Sequence, residues 1–105
     1  MAIVEITVIP VGTDDTGLSG YVADMQRILE REGGSIRYQL TPMSTLIEGE
    51  LSDLLAVVRR LHESPFSAGA GRVCTTIKID DRRDRPSSME QKMRSVAERL
   101  GGKSE

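Results

Sequence analysis

From Val73 to Ile79 the chain reads Val-Cys-Thr-Thr-Ile-Lys-Ile, and at Asp80 it breaks into six consecutive charges, Asp80-Asp81-Arg82-Arg83-Asp84-Arg85. β-Branched side chains fit a pleated, half-buried strand. Ionised side chains are almost never buried unpaired. The strand must therefore leave the core at its end, where charges of both signs meet a partner, either another subunit or a ligand.

The same alternation recurs upstream. Residues 3–9 are β-branched except for Glu5, and Pro10 ends them, which predicts a first strand. After a loop rich in Gly, Thr and Asp, Ser19 can cap a helix from about Gly20. Leu18, Val22, Met25 and Leu29 recur along it at helical spacing, and Gly33-Gly34 ends it. Residues 36–40 alternate with period two, Pro42 lies in a turn, and residues 45–49 return as the second arm of a hairpin. Ser52 then reads as the cap of a second helix with Leu54, Val58 and Leu61 on one face, ending near Ser64-Pro65. Residues 67–71 form a Gly- and Ala-rich loop before the fourth strand. Ser87 and Ser88 stand at capping-box spacing from Glu90 and Gln91 and open a third helix marked by Met89, Met93, Val96 and Leu100.

The order βαββαβα over 105 residues predicts a single α+β domain, residues 1–105. Right-handed, short crossovers favour a ferredoxin-like βαββαβ sandwich: a four-stranded antiparallel sheet, two helices on one face and an extra C-terminal helix. The first and fourth strands are expected at its centre. Strand phase then assigns the faces. Val4, Ile6, Val8, Ile36, Tyr38, Leu40, Val73, Thr75, Ile77 and Ile79 should meet the helices. The opposite face should carry Ile3, Glu5, Thr7, Ile9, Arg37, Gln39, Thr41, Leu46, Glu48, Cys74, Thr76 and Lys78. Its mixture of aliphatics and charges suits packing against a second sheet, which would bury the former and pair the latter.

Composition excludes several functions. A net charge of −2 argues against a nucleic-acid module, and two Tyr, one Phe and no Trp leave no stacking platform for single-stranded RNA or DNA. No apolar run approaches the roughly 20 residues of a membrane span, and no basic n-region precedes an apolar stretch. With one cysteine there is no internal disulfide, and the expectation is a cytoplasmic protein. His62 and Cys74, each the only residue of its kind, read as a helix-surface histidine and a small core thiol, not as metal ligands. No nucleophile–base pairing marks a catalytic site, and no cofactor motif is present. Gly69-Ala70-Gly71-Arg72 precedes a strand, not a helix, and reads as a tight turn or a weak anion loop. Ser44, Thr45 and Glu48 on one hairpin arm, with Thr7 and Thr75 or Thr76 nearby, offer hydroxyls and a carboxylate suited to a small polar heterocycle.

Three stretches resemble the thiamine-binding-protein family of small ferredoxin-like proteins: Thr7-Val8-Ile9-Pro10-Val11-Gly12-Thr13, Pro42-Met43-Ser44-Thr45-Leu46-Ile47-Glu48-Gly49-Glu50, and Val73 through Asp84. The resemblance implies a homodimer, often paired into a homotetramer, that binds thiamine or its pyrimidine precursor; with no nucleophile–base pairing in view, a non-enzymatic protein is expected. Thr45, Glu48, Thr76 and Asp80 stand at its motif positions; with Thr7 and Ser44 they form the expected ligand set. Glu5, Arg37, Lys78, Arg82 and Arg83 are the expected subunit contacts, the last two with the alternative of holding an anion. A structural or regulatory oligomer without a vitamin ligand is the competing expectation.

Overall fold

The computed structural model describes residues 1–12, 19–84 and 88–101. Strand β1 (Ala2–Pro10) is followed by helix α1 (Ser19–Arg31), a 3-10 turn (Gly33–Ser35), strands β2 (Ile36–Leu40) and β3 (Thr45–Gly49), helix α2 (Leu51–Ser67), strand β4 (Val73–Asp81) and helix α3 (Met89–Gly101). The sheet order is β2-β3-β1-β4, with every neighbouring pair antiparallel. This is the expected α+β sandwich, with one correction: β1 and β3 are central, and β4 is an edge. Burial explains the exchange. In β3, Ile47 sits between Val4 and Tyr38 and is fully buried. In β4, Lys78, Asp80 and Asp81 suit a strand with one open side, where charge discourages further pairing. The strand also continues through Asp80 and Asp81, so the charge run begins inside it.

One sheet face packs on α1 and α2. Val4, Ile6 and Val8 alternate into this layer as their phase requires, joined by Ile36 and Ile47. Met25 and Leu29 of α1 and Leu54, Val57, Val58 and Leu61 of α2 close it. Full burial of a side chain such as Leu54 stabilises by about 1.5–3 kcal/mol. The helices cover only the first half of β4. Val73 packs against the core, and Thr75 shares a 2.7 Å hydrogen bond with His62 Nδ1 on α2. Ile77 and Ile79, expected to be covered, remain 43% and 45% exposed. Leu40, on the other edge strand, is likewise uncovered.

Three helix ends differ from expectation, the first being that α1 already includes Ser19, expected as the cap in front of it. α2 begins at Leu51 behind Glu50, so Ser52 lies in its first turn and caps nothing. The helix also runs through Pro65 to Ser67, because the buried Pro65 ring packs inward and supplies the apolar contact that offsets its missing N–H. α3 opens as expected, with Ser88 Oγ accepting the Gln91 N–H at 3.0 Å; Ser87 lies outside the described residues, as do Leu18 and Arg85. The apolar stripe of α3 has no cover: Met93, Val96 and Leu100 are 69%, 49% and 76% exposed. The radius of gyration, 15.8 Å, exceeds the roughly 13 Å of a compact chain this long, and the long axis reaches 51 Å.

Candidate functional site

The sheet face opposite α1 and α2 is ordered in rows by strand register. Arg37, Glu48, Ile3 and Asp80 form one row, and Gln39, Leu46, Glu5 and Lys78 the next. Thr7 then faces Thr76, and Ile9 faces Cys74. Apolar and polar groups are interleaved along the face, as the phase predicts.

Glu48 is 2% exposed. A buried carboxylate requires partners, and it has two. Oε2 accepts the backbone N–H of Met89 at 2.9 Å, and Oε1 lies 3.5 Å from Arg37 Nη1. Met89 is the first residue of α3, so the carboxylate sits at the positive end of that helix. Asp80 holds the next turn through Lys92 Nζ at 2.6 Å. Two of the expected ligand residues thus anchor α3.

The more accessible carboxylate is Glu5. Its position depends on the β2–β3 turn, which Thr41 builds. Thr41 Oγ1 donates to the Ser44 carbonyl at 2.8 Å and accepts the N–H groups of Ser44 and Met43 at 3.0 and 3.3 Å. Ser44 is thereby fixed at the hairpin tip, and its Oγ donates to Glu5 Oε2 at 2.9 Å. Among the described residues, Oε1 of Glu5 has no partner, and Lys78, directly across the ladder, forms no ion pair. Ser44, Thr7, Thr76 and Glu5 therefore make a strip of hydroxyls beside an exposed carboxylate, flanked by Leu46 and Ile9. Glu5, expected as a subunit contact, enters this set; the signal for it was its phase with Thr7. Thr45 does not belong to it. It pairs with Ile6 and Leu40 and lies on the helix side of the sheet.

The charge run folds onto itself. Arg83 bonds Asp81 at 2.7 and 3.0 Å, which holds the Asp81 carboxyl below the ordinary aspartate value and raises Arg83. Arg82 grips Asp84 at 2.7 and 3.0 Å and is raised in the same way. Both arginine forks, expected to reach another subunit or an anion, are engaged locally. In the Gly69 loop, the N–H groups of Ala68, Gly69 and Ala70 turn back to carbonyls of Ser64, Pro65 and Phe66. It is a helix-to-strand turn with none of these amides free for an anion. Cys74 is exposed, which corrects its reading as a core thiol. No cluster of three potential metal ligands occurs among the described residues.

A family model described as thiamine-binding protein matches residues 4–97. The chain belongs to the thiamine-binding protein family. A UPF0045 protein of Bacillus subtilis, YqgV, is 56% identical over 102 residues, covering 95% of this chain and 98% of the relative. A UPF0045 protein of Methanothermobacter thermautotrophicus is 44% identical over 101 residues, covering 95% and 100%. The fold recurs in a hypothetical protein of Methanocaldococcus jannaschii, with a TM-score of 0.80 at 26% identity, covering 92% of this chain and 96% of the other. It recurs also in a Thermotoga maritima protein provisionally assigned to thiamine biosynthesis or salvage, with a TM-score of 0.73 at 22% identity, covering 90% and 97%. That last likeness bears on the fold alone. No helix among the described residues is long and apolar enough to cross a membrane.

Proposed function

We propose that the protein is a non-enzymatic, cytoplasmic homo-oligomer that binds thiamine or its hydroxymethylpyrimidine precursor on the open sheet face. The observation that carries this reading is the exposed Glu5 carboxylate, held by Ser44 beside Thr7 and Thr76, in a chain of this family. An aminopyrimidine presents an amino donor beside a ring-nitrogen acceptor. Glu5 accepts from the amine, a hydroxyl of Thr7 or Thr76 donates to the ring, and Leu46 and Ile9 supply apolar walls. Glu48 and Asp80 act on the site at one remove, by holding the start of α3 at its margin, and Thr45 acts through the hairpin backbone.

Two uncovered apolar features support self-association: the α3 stripe, and Ile77 and Ile79 on the free edge of β4. A stable interface buries ~800 Å² per partner, and a second copy seated here would cover both features. Glu5, Arg37 and Lys78 then lie close to the seam, with Arg82 and Arg83 at its end.

A thermal-shift titration tests the ligand. Thiamine or hydroxymethylpyrimidine at about 100 times its dissociation constant adds about 2.7 kcal/mol to the folded state, a visible rise in Tm. Glu5→Gln and Ser44→Ala should each cut the rise by about half or more at the same ligand concentration. A Tm unmoved by either compound in the wild-type protein contradicts the reading and leaves an oligomer without a vitamin ligand.

A further inference from the structure

On the far side of the molecule from the open sheet face, α1 and α2 flank an open surface groove of about 660 Å³. Four arginines line it: Arg27 and Arg31, one helical turn apart on α1, and Arg59 and Arg60 on α2. Two of them are committed. Arg27 bonds Asp24 at 2.5 Å, and the Arg60 fork closes on Glu32 at 2.6 and 2.9 Å. Arg31 and Arg59, from opposite walls, have no carboxylate or other hydrogen-bond acceptor among the described residues. These two guanidinium groups without an ion-pair partner share the groove with one carboxylate, Glu63, that also has none among the described residues.

Such a groove focuses positive potential, and a guanidinium fork matches phosphate oxygens in bidentate geometry. The floor is apolar. Ile28 packs against the core beneath it, and Ala68 adds a second apolar side chain to the lining. The volume falls within the 300–1,000 Å³ range of small-molecule sites and leaves room for a body attached to the phosphate. Carboxylates decide against an extended polyanion. Asp24 and Glu63 stand in the lining, and Glu32 lies beside it on Arg60. An acidic peptide or a nucleic-acid strand laid along the groove would have to pass all three, whereas a compact dianion needs only the two free forks.

We propose that this groove is a second ligand site, independent of the open sheet face, and that it takes an organic phosphate monoester. The phosphate sits between Arg31 and Arg59, and the apolar body lies on Ile28 and Ala68. The probe is phenyl phosphate, titrated calorimetrically into the full chain, with inorganic phosphate and phenol as comparators. Phenyl phosphate should bind more tightly than inorganic phosphate, phenol should not bind, and added salt should weaken the binding. The double variant Arg31→Gln/Arg59→Gln should lose about tenfold or more in affinity, in keeping with two charge-assisted bonds. Both side chains are exposed, so the variant should keep its Tm and its response to thiamine. Arg72→Gln, an exposed arginine outside the groove, should bind phenyl phosphate as the wild type does. Binding no stronger than that of phenol overturns the proposal. So does unchanged affinity in the double variant, or an equal loss in Arg72→Gln.

Discussion

Glu48 is the one buried charged side chain among the described residues, and its environment assigns it a structural task. Truncation in Glu48→Ala strips the Met89 N–H of its acceptor and leaves Arg37 without its counter-charge. Loss of such a bond costs about 1–3 kcal/mol. Urea unfolding should register that decrease, and amide exchange in the first turn of α3 should accelerate while β1 stays protected. Asp81 makes a second residue-scale prediction. Its hydrogen bond to Arg83 lowers its pKa in the folded chain, so any stabilisation it gives is present above the unfolded value and fades as pH falls through the folded one. In Arg83→Gln, the NMR titration midpoint of the Asp81 carboxyl should move up. Alternation made the face of Glu48 legible. Its chief partner was not, because Met89 lies 41 residues away and no periodicity links a strand residue to a distant helix start. Glu5 was visible as an open-face acid, but its accessibility depends on the Thr41 turn, a three-dimensional fact.

At the scale of elements, Gly49 closes β3 where the chain passes closest to its neighbours. A Cβ built there would lie 3.1 Å from the Ser35 carbonyl oxygen and 3.3 Å from Ile36 Cγ2. The carbonyl belongs to backbone and yields little, so Gly49→Ala should destabilise by about 1–3 kcal/mol, read as a lower urea midpoint with an unchanged m-value. The strands and helices were legible because periods of 2 and 3.6 separate cleanly here: Val4, Ile6 and Val8 against Leu54, Val58 and Leu61. Termini were less so. Pro65 is a stop signal in sequence, yet a buried proline can stay helical when its ring is packed. The centre of the sheet was misread because β3 is short, and only its pairing on both sides, with β1 and β2, reveals it as interior.

For the whole molecule, the exposed stripe of α3 and the bare edge of β4 are the surfaces through which the proposed homo-oligomer would form. Val96→Asp places a charge on that stripe without touching the core, since Val96 is already 49% exposed. Sedimentation should show a shift to smaller species with secondary structure intact. Ligand binding is the central claim, and calorimetric titration of thiamine and hydroxymethylpyrimidine into the wild type and Glu5→Gln tests it most directly. The account predicts saturable heat in the wild type and an affinity loss of about tenfold or more when the acceptor loses its charge, since a charged hydrogen bond is worth about 1.5–3 kcal/mol. Equal affinity in both proteins, or no heat from either compound, would contradict it.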